Sequence, residues 1–102
     1  VNIIGHEPAI APVVLIDGQD LTHLFVGALP PGSVVEWRVT DRDRRLLFGV
    51  WPVTSTADGW LLNVEAADHA TIPNGARHRL FVTYPSGGRY CWVAGPVGRS
   101  LR

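Results

Sequence analysis

Short apolar runs, several of them alternating, are separated by Gly, Pro, Asp and Asn at intervals too close to leave room for a long helix. This punctuation limits the chain to an all-β architecture. In Val34–Thr40, Val35, Trp37 and Val39 fall on one face, and Glu36, Arg38 and Thr40 on the other. Ala76–Tyr84 repeats the scheme, with His78, Leu80, Val82 and Tyr84 opposite Arg77, Arg79, Phe81 and Thr83. Leu46–Val53 and Ala11–Ile16 are more uniformly apolar, as strands are when both faces are covered or when they lie at a subunit contact.

Turn chemistry sets the boundaries. Asp17-Gly18, Pro30-Pro31-Gly32, Ala57-Asp58-Gly59 and Ser86-Gly87-Gly88 each mark a reversal, and the last makes its two flanking runs antiparallel neighbours. Pro73-Asn74-Gly75 fits a type I turn with Pro second and Gly fourth. Only Glu65–Ala70 has helical preference, and Pro73 holds it to a turn or two, a short crossing between sheets. About seven strands result, at 11–16, 20–28, 34–40, 46–53, 60–65, 76–84 and 89–97.

With 102 residues and no internal repeat, the chain has room for one core, so residues 11–102 are assigned to a single domain preceded by an extended arm, 1–10. The expected fold is an immunoglobulin-like, two-sheet antiparallel β-sandwich with one short helical turn. Cys91 is alone, so no intrachain disulfide joins the sheets. The core is therefore expected to consist of Trp37, Leu47, Trp51, Leu62, Val64, Leu80, Val82 and Trp92.

The chemistry-bearing residues argue against catalysis. His6, His23, His69 and His78 lack short metal-ligand spacing, although His23 and His78 lie on strands that could approach. No serine sits in a Gly-x-Ser-x-Gly elbow, Cys91 reads as an inert thiol, and Asp17/Asp20 and Asp41/Asp43 lie in turns where Asp side chains bond nearby backbone. No enzyme activity, cofactor or metal is expected. Nine basic and nine acidic side chains cancel, which removes the long-range field of a nucleic-acid binder, and no apolar run is long enough for a membrane helix.

What remains is contact. The run Asp41-Arg42-Asp43-Arg44-Arg45 forms a hairpin tip. Its alternating signs suit a self-neutralising solvated turn, and the alternative is that Arg42, Arg44 and Arg45 touch a partner. Trp60, directly after Asp58-Gly59, is the best candidate for an exposed ring, as in a sugar-stacking platform. The N-terminal arm, with Val1, Ile3, Ile4 and Pro8, is apolar and short of helix signals, so it is expected to lie on a neighbouring subunit.

The segment Ile72-Pro73-Asn74-Gly75-Ala76-Arg77, the alternating strand after it, and Tyr90-Cys91-Trp92-Val93-Ala94-Gly95 resemble the C-terminal half of the LtfC-like β-sandwich proteins found in phages of mycobacteria and related actinobacteria. The N-terminal half matches only in general plan. The resemblance implies a non-enzymatic virion structural or accessory protein, decorating the capsid or forming a minor tail component. Its implied partners are major capsid or tail proteins, in many symmetric copies, with self-association as a further option. The alternative function is a virion-exposed carbohydrate-binding or adhesion module.

Overall fold

The computed structural model describes residues 9–26 and 29–100. The strands are β1 (Ala9–Ile10), β2 (Val13–Ile16), β3 (Leu21–Val26), β4 (Val34–Thr40), β5 (Leu47–Thr56), β6 (Gly59–Val64), β7 (Ala76–Thr83) and β8 (Arg89–Ser100), with one helical turn, α1 (Ala66–His69), between β6 and β7. The hydrogen-bonded path runs β1-β8-β7-β4-β5-β6-β3, with β2 also on β8. It divides into two sheets because β5 belongs to both, pairing with β4 through Val53 and with β6 from Thr54 onward. Pro52 sits just before this change of partner. It has no N–H to donate, and β5 has no second neighbour in the first sheet that would need one.

The fold is thus the expected all-β immunoglobulin-like sandwich, with one difference in strand direction. β1 and β2 run parallel to β8, whereas every other pairing among the described strands is antiparallel. A parallel pair needs a long connection, and here the rest of the domain supplies it. The expected first strand, 11–16, is present only as β2, preceded by β1 within the expected arm, and the two are separated for a local reason. β1 and β2 keep one register along β8, from Ala9 opposite Val93 to Ile16 opposite Ser100, which sets Pro12 against Pro96. Neither proline can donate, so the ladder lapses there and resumes at Val13. Of the arm assigned to 1–10, Ala9 and Ile10 are in the sheet as β1, and Val1, Ile3, Ile4 and Pro8 lie outside the described residues.

The alternating faces of β4 and β7 point inward as expected. Val35, Trp37, Val39, Leu80 and Val82 pack with Leu62 and Val64 from β6, Leu15 from β2, and Val97 from β8. Trp37 lies 5.4 Å, ring to ring, from Trp51, which is half-buried at the edge of the core. Two members of the expected core are instead exposed, each beside a β-bulge. A register shift at Val39/Thr40 turns Leu47 outward, leaving it 51% exposed, and lets Phe48 pack on the core. A shift at Leu80/Phe81 leaves Trp92 as the extra residue of β8, between Val93 opposite Leu80 and Cys91 opposite Phe81, and 40% exposed. Val14 and Val50 are also exposed, so the uniformly apolar strands are not covered on both faces within this chain.

The α1 crossing is fixed from outside. Asp20 Oδ1 accepts from the Ala66 N–H at 2.8 Å, a role the Glu65 N-cap does not fill. Arg99, near the end of β8, donates to the Asp17 carboxylate and to the carbonyls of His69 and Ile72 at 2.7 and 3.0 Å. The turn after α1 is offset by one residue from expectation. The Ala76 N–H reaches Pro73 O, and Gly75 takes φ +92°, so Gly75 holds the third position, where a type II turn requires positive φ.

Close approach between β1–β2 and β8 depends on Gly95. A Cβ there would stand 2.8 Å from the Ala11 carbonyl carbon, and backbone cannot swing aside as a flexible side chain can. Gly95→Ala is expected to destabilise the domain by about 1–3 kcal/mol. Chemical denaturation measures the loss, and amide exchange should show it concentrated in β1 and β2.

Candidate interaction surface

The outward face of the first sheet carries charge around one aromatic ring. Phe81, at the centre of β7, has the guanidinium carbons of Arg89, Arg79 and Arg38 at 4.1, 5.0 and 5.9 Å from its ring centroid. Strand register brings them together, because Glu36 lies opposite Phe81 and Arg38 opposite Arg79 across the β4–β7 ladder, while Arg89 comes from the adjacent end of β8. Glu36 bonds Arg89 at 2.7 Å and reaches Arg38 at 3.5 Å. Arg79 takes no part in either ion pair. Burial, and then the charges of Arg44, Arg38 and Arg89, push its guanidinium below the ordinary arginine range, and the nearby Cys91 thiol opposes this.

Arg42, Arg44 and Arg45 are exposed at the β4–β5 hairpin tip, where the sequence places them. Among the described residues no ion pair neutralises the tip, the salt bridges being Arg38–Glu36, Arg89–Glu36 and Arg99–Asp17. Asp41 is committed to backbone: its Oδ1 accepts from the Arg45 N–H at 2.7 Å and its carbonyl from the Arg44 N–H at 3.1 Å. Arg44 adopts φ +61°, a left-handed conformation that costs a non-glycine residue about 1 kcal/mol. Arg42 and Arg44 line a notch of about 350 Å³ with Arg77, Arg79, His78, Ile10, Ala94 and Gly95, whereas Arg45 lies outside it.

Trp60 is half-buried and packs on the core, so it is less exposed than its sequence context suggests. It does line an apolar cleft of about 370 Å³ in which Trp92 takes part, with His23, Phe25, Leu29 and the buried Val35, Leu80 and Val82. The sequence assigns Trp92 to the core, and its place in this cleft follows from the bulge, which has no signature in a single alternating run.

The titratable interior is structural. The Trp37 indole N–H can only donate, and it donates to His78 Nδ1 at 3.1 Å, so Nδ1 carries no proton and Nε2–H donates to Ala11 O at 2.6 Å. His78 is thus neutral with both nitrogens engaged. Burial lowers its pKa from 6.5, partly opposed by the Ala11 carbonyl. His69 is held similarly, with Nε2 2.6 Å from Gln19 O and Nδ1 3.5 Å from Arg99. Cys91 is half-buried, with Sγ 3.5 Å from Val93 O, and burial pushes its thiol up from 9.0, away from the reactive thiolate. No group of three or more His, Cys, Asp or Glu side chains suited to a metal occurs among the described residues.

Sheet order, register and core together define an immunoglobulin-like β-sandwich. Within that class the chain belongs to the LtfC-like β-sandwich domain family, whose model matches residues 7–100. No curated protein matches it. Among solved structures it is similar to the first Ig-like domain of human CD48 antigen, at 10% identity and a TM-score of 0.47, covering 100% of this chain and 93% of that one.

Two outcomes are expected. Because the folded state resists protonating His78 while the unfolded chain accepts a proton near pH 6.5, the contribution of this group is intact above that pH and is lost as pH falls toward its lowered folded value. The melting temperature should therefore decline below pH 6.5 more steeply in the wild type than in His78→Gln, whose amide accepts and donates without charging. Arg44→Gly should raise stability by roughly 0.5–1 kcal/mol in denaturant titrations, because glycine takes positive φ freely.

Proposed function

We propose that this chain is a non-enzymatic virion structural or accessory protein of a bacteriophage, docked on major capsid or tail proteins in many symmetric copies. The observation that carries the reading is apolar exposure along the sheet margins. Val26 of β3 is 84% exposed, Ile10 of β1 74%, and Val14 of β2 60%. Scattered single apolar residues need no partner, but these occupy the terminal strands of the two sheets, where unpaired backbone and apolar side chains together suit edge-to-edge or face contact with another chain. Family membership supports the same reading through the phage origin that the sequence resemblance implies. Repetition in a symmetric particle lets weak single contacts accumulate.

A carbohydrate-binding role is the second reading, favoured by one observation: Trp60 and Trp92 line the same cleft. Glycan-array binding lost in both Trp60→Ala and Trp92→Ala would support it over the first.

Labelled-antibody microscopy on purified particles tests the main reading, and absence of the chain from particles overturns it. Ile10→Lys should lower occupancy per particle while changing the stability of the free domain by no more than about 0.5 kcal/mol, because the residue faces solvent. Quantitative mass spectrometry of particles and thermal melting of the free domain give the two numbers.

A further inference from the structure

Positive charge is concentrated in this electrically neutral chain. Eight of its nine arginines lie on β4, β7, β8 and the β4–β5 tip, against three carboxylates on the same elements, Glu36, Asp41 and Asp43. None of the three lines the notch into which Arg42, Arg44, Arg77 and Arg79 converge, and no other carboxylate does so among the described residues. Glu36 is engaged by Arg89 and Arg38, and Asp41 by the backbone of its own turn. Four like charges around about 350 Å³, with no carboxylate among the described lining residues, repel one another until an anion enters.

We propose that this notch is a carboxylate-binding site that seats an acidic stretch of the partner protein. This deepens the docking reading above and rests on it. Planar guanidinium forks match carboxylate oxygens bidentately, and several forks around one cavity suit neighbouring Asp or Glu side chains. Ile10 is exposed in the same lining, and it offers apolar contact to the aliphatic stems of an acidic peptide. A nucleic-acid backbone fits less well, because it needs a basic track several phosphates long, whereas this basic area is a bounded patch on a neutral molecule that carries Asp17, Asp20, Glu65 and Asp68 elsewhere. The left-handed Arg44 belongs to the same arrangement, since the turn that holds its backbone there also brings its side chain to the notch.

The test uses the whole chain and a fluorescent oligoglutamate peptide, with oligoglutamine and a single-stranded oligonucleotide as competitors, read by anisotropy at low salt and at about 0.15 M. The wild type is expected to prefer oligoglutamate and to weaken with salt. The double variant Arg44→Gly, Arg77→Thr is expected to lose at least about tenfold in affinity. Its replacements suit a left-handed turn position and a strand, and a cooperative melting curve with a midpoint no lower than the wild type's separates loss of binding from loss of fold. Equal binding of oligoglutamine, tighter binding of the oligonucleotide, or unaltered affinity in a folded double variant overturns the proposal. The same double variant is scored in purified particles. If the chain is present in particles but ignores the peptide, the carboxylate site falls and the virion reading stands. If it binds the peptide but is absent from particles, the reverse holds.

Discussion

The hydrogen-bonded chain from the Trp37 indole through the His78 ring to the Ala11 carbonyl joins the core to the N-terminal strand. No disulfide is available to do this, since the only cysteine is Cys91. Trp37 lies at the centre of the first sheet and is almost fully buried, and its N–H needs an acceptor in the interior. His78, diagonal to it across the β4–β7 ladder, provides one and passes the polarity on to a backbone carbonyl. Gly95 gives Ala11 the space to approach. Two strand residues, one carbonyl in the gap between β1 and β2, and one missing Cβ therefore set where β1 and β2 dock. Because every polar group in the line is satisfied, the line acts as a fixed spacer and leaves no proton free for chemistry.

A second anchor, built from different parts, holds the other end of the same terminal strand pair. Arg99 gathers the Asp17 carboxylate and the carbonyls that follow α1, while Asp20 caps the helical turn. The crossing between the two sheets is thereby tied to the last strand. Between the anchors, the outward surface of the first sheet is left for side chains that the fold does not need. Phe81 with its ring of arginines occupies that surface, and the hairpin tip extends it.

Much of this was legible in the residues alone. The inward faces of β4 and β7 follow from alternation, the hairpin between β7 and β8 from Ser86-Gly87-Gly88, and the crossing at α1 from a short Ala-rich segment stopped by Pro73. Other features depend on partners distant in sequence. Leu47 and Trp92 changed sides because bulges add a residue to one strand relative to its neighbour, and a single strand cannot disclose its neighbour's count. The break between β1 and β2 depends on Pro12 meeting Pro96, a coincidence visible only once the register is known. At the candidate surface, Arg42 and Arg44 stood out as a charge run. Arg77 and Arg79 had looked like the polar face of an ordinary strand until folding put them beside that run.

The parallel ladder between β2 and β8 also has a mechanical consequence. Ala9 lies beside Val93 near one pole of the strand pair, and Ile16 beside Ser100 near the other, with both strands advancing in the same direction. Tension applied through the chain on either side of the described segment pulls the two strands past each other lengthwise. The bonds of that ladder then bear load together in shear and do not unzip singly, so the domain is braced along the axis on which a tethered module would be pulled.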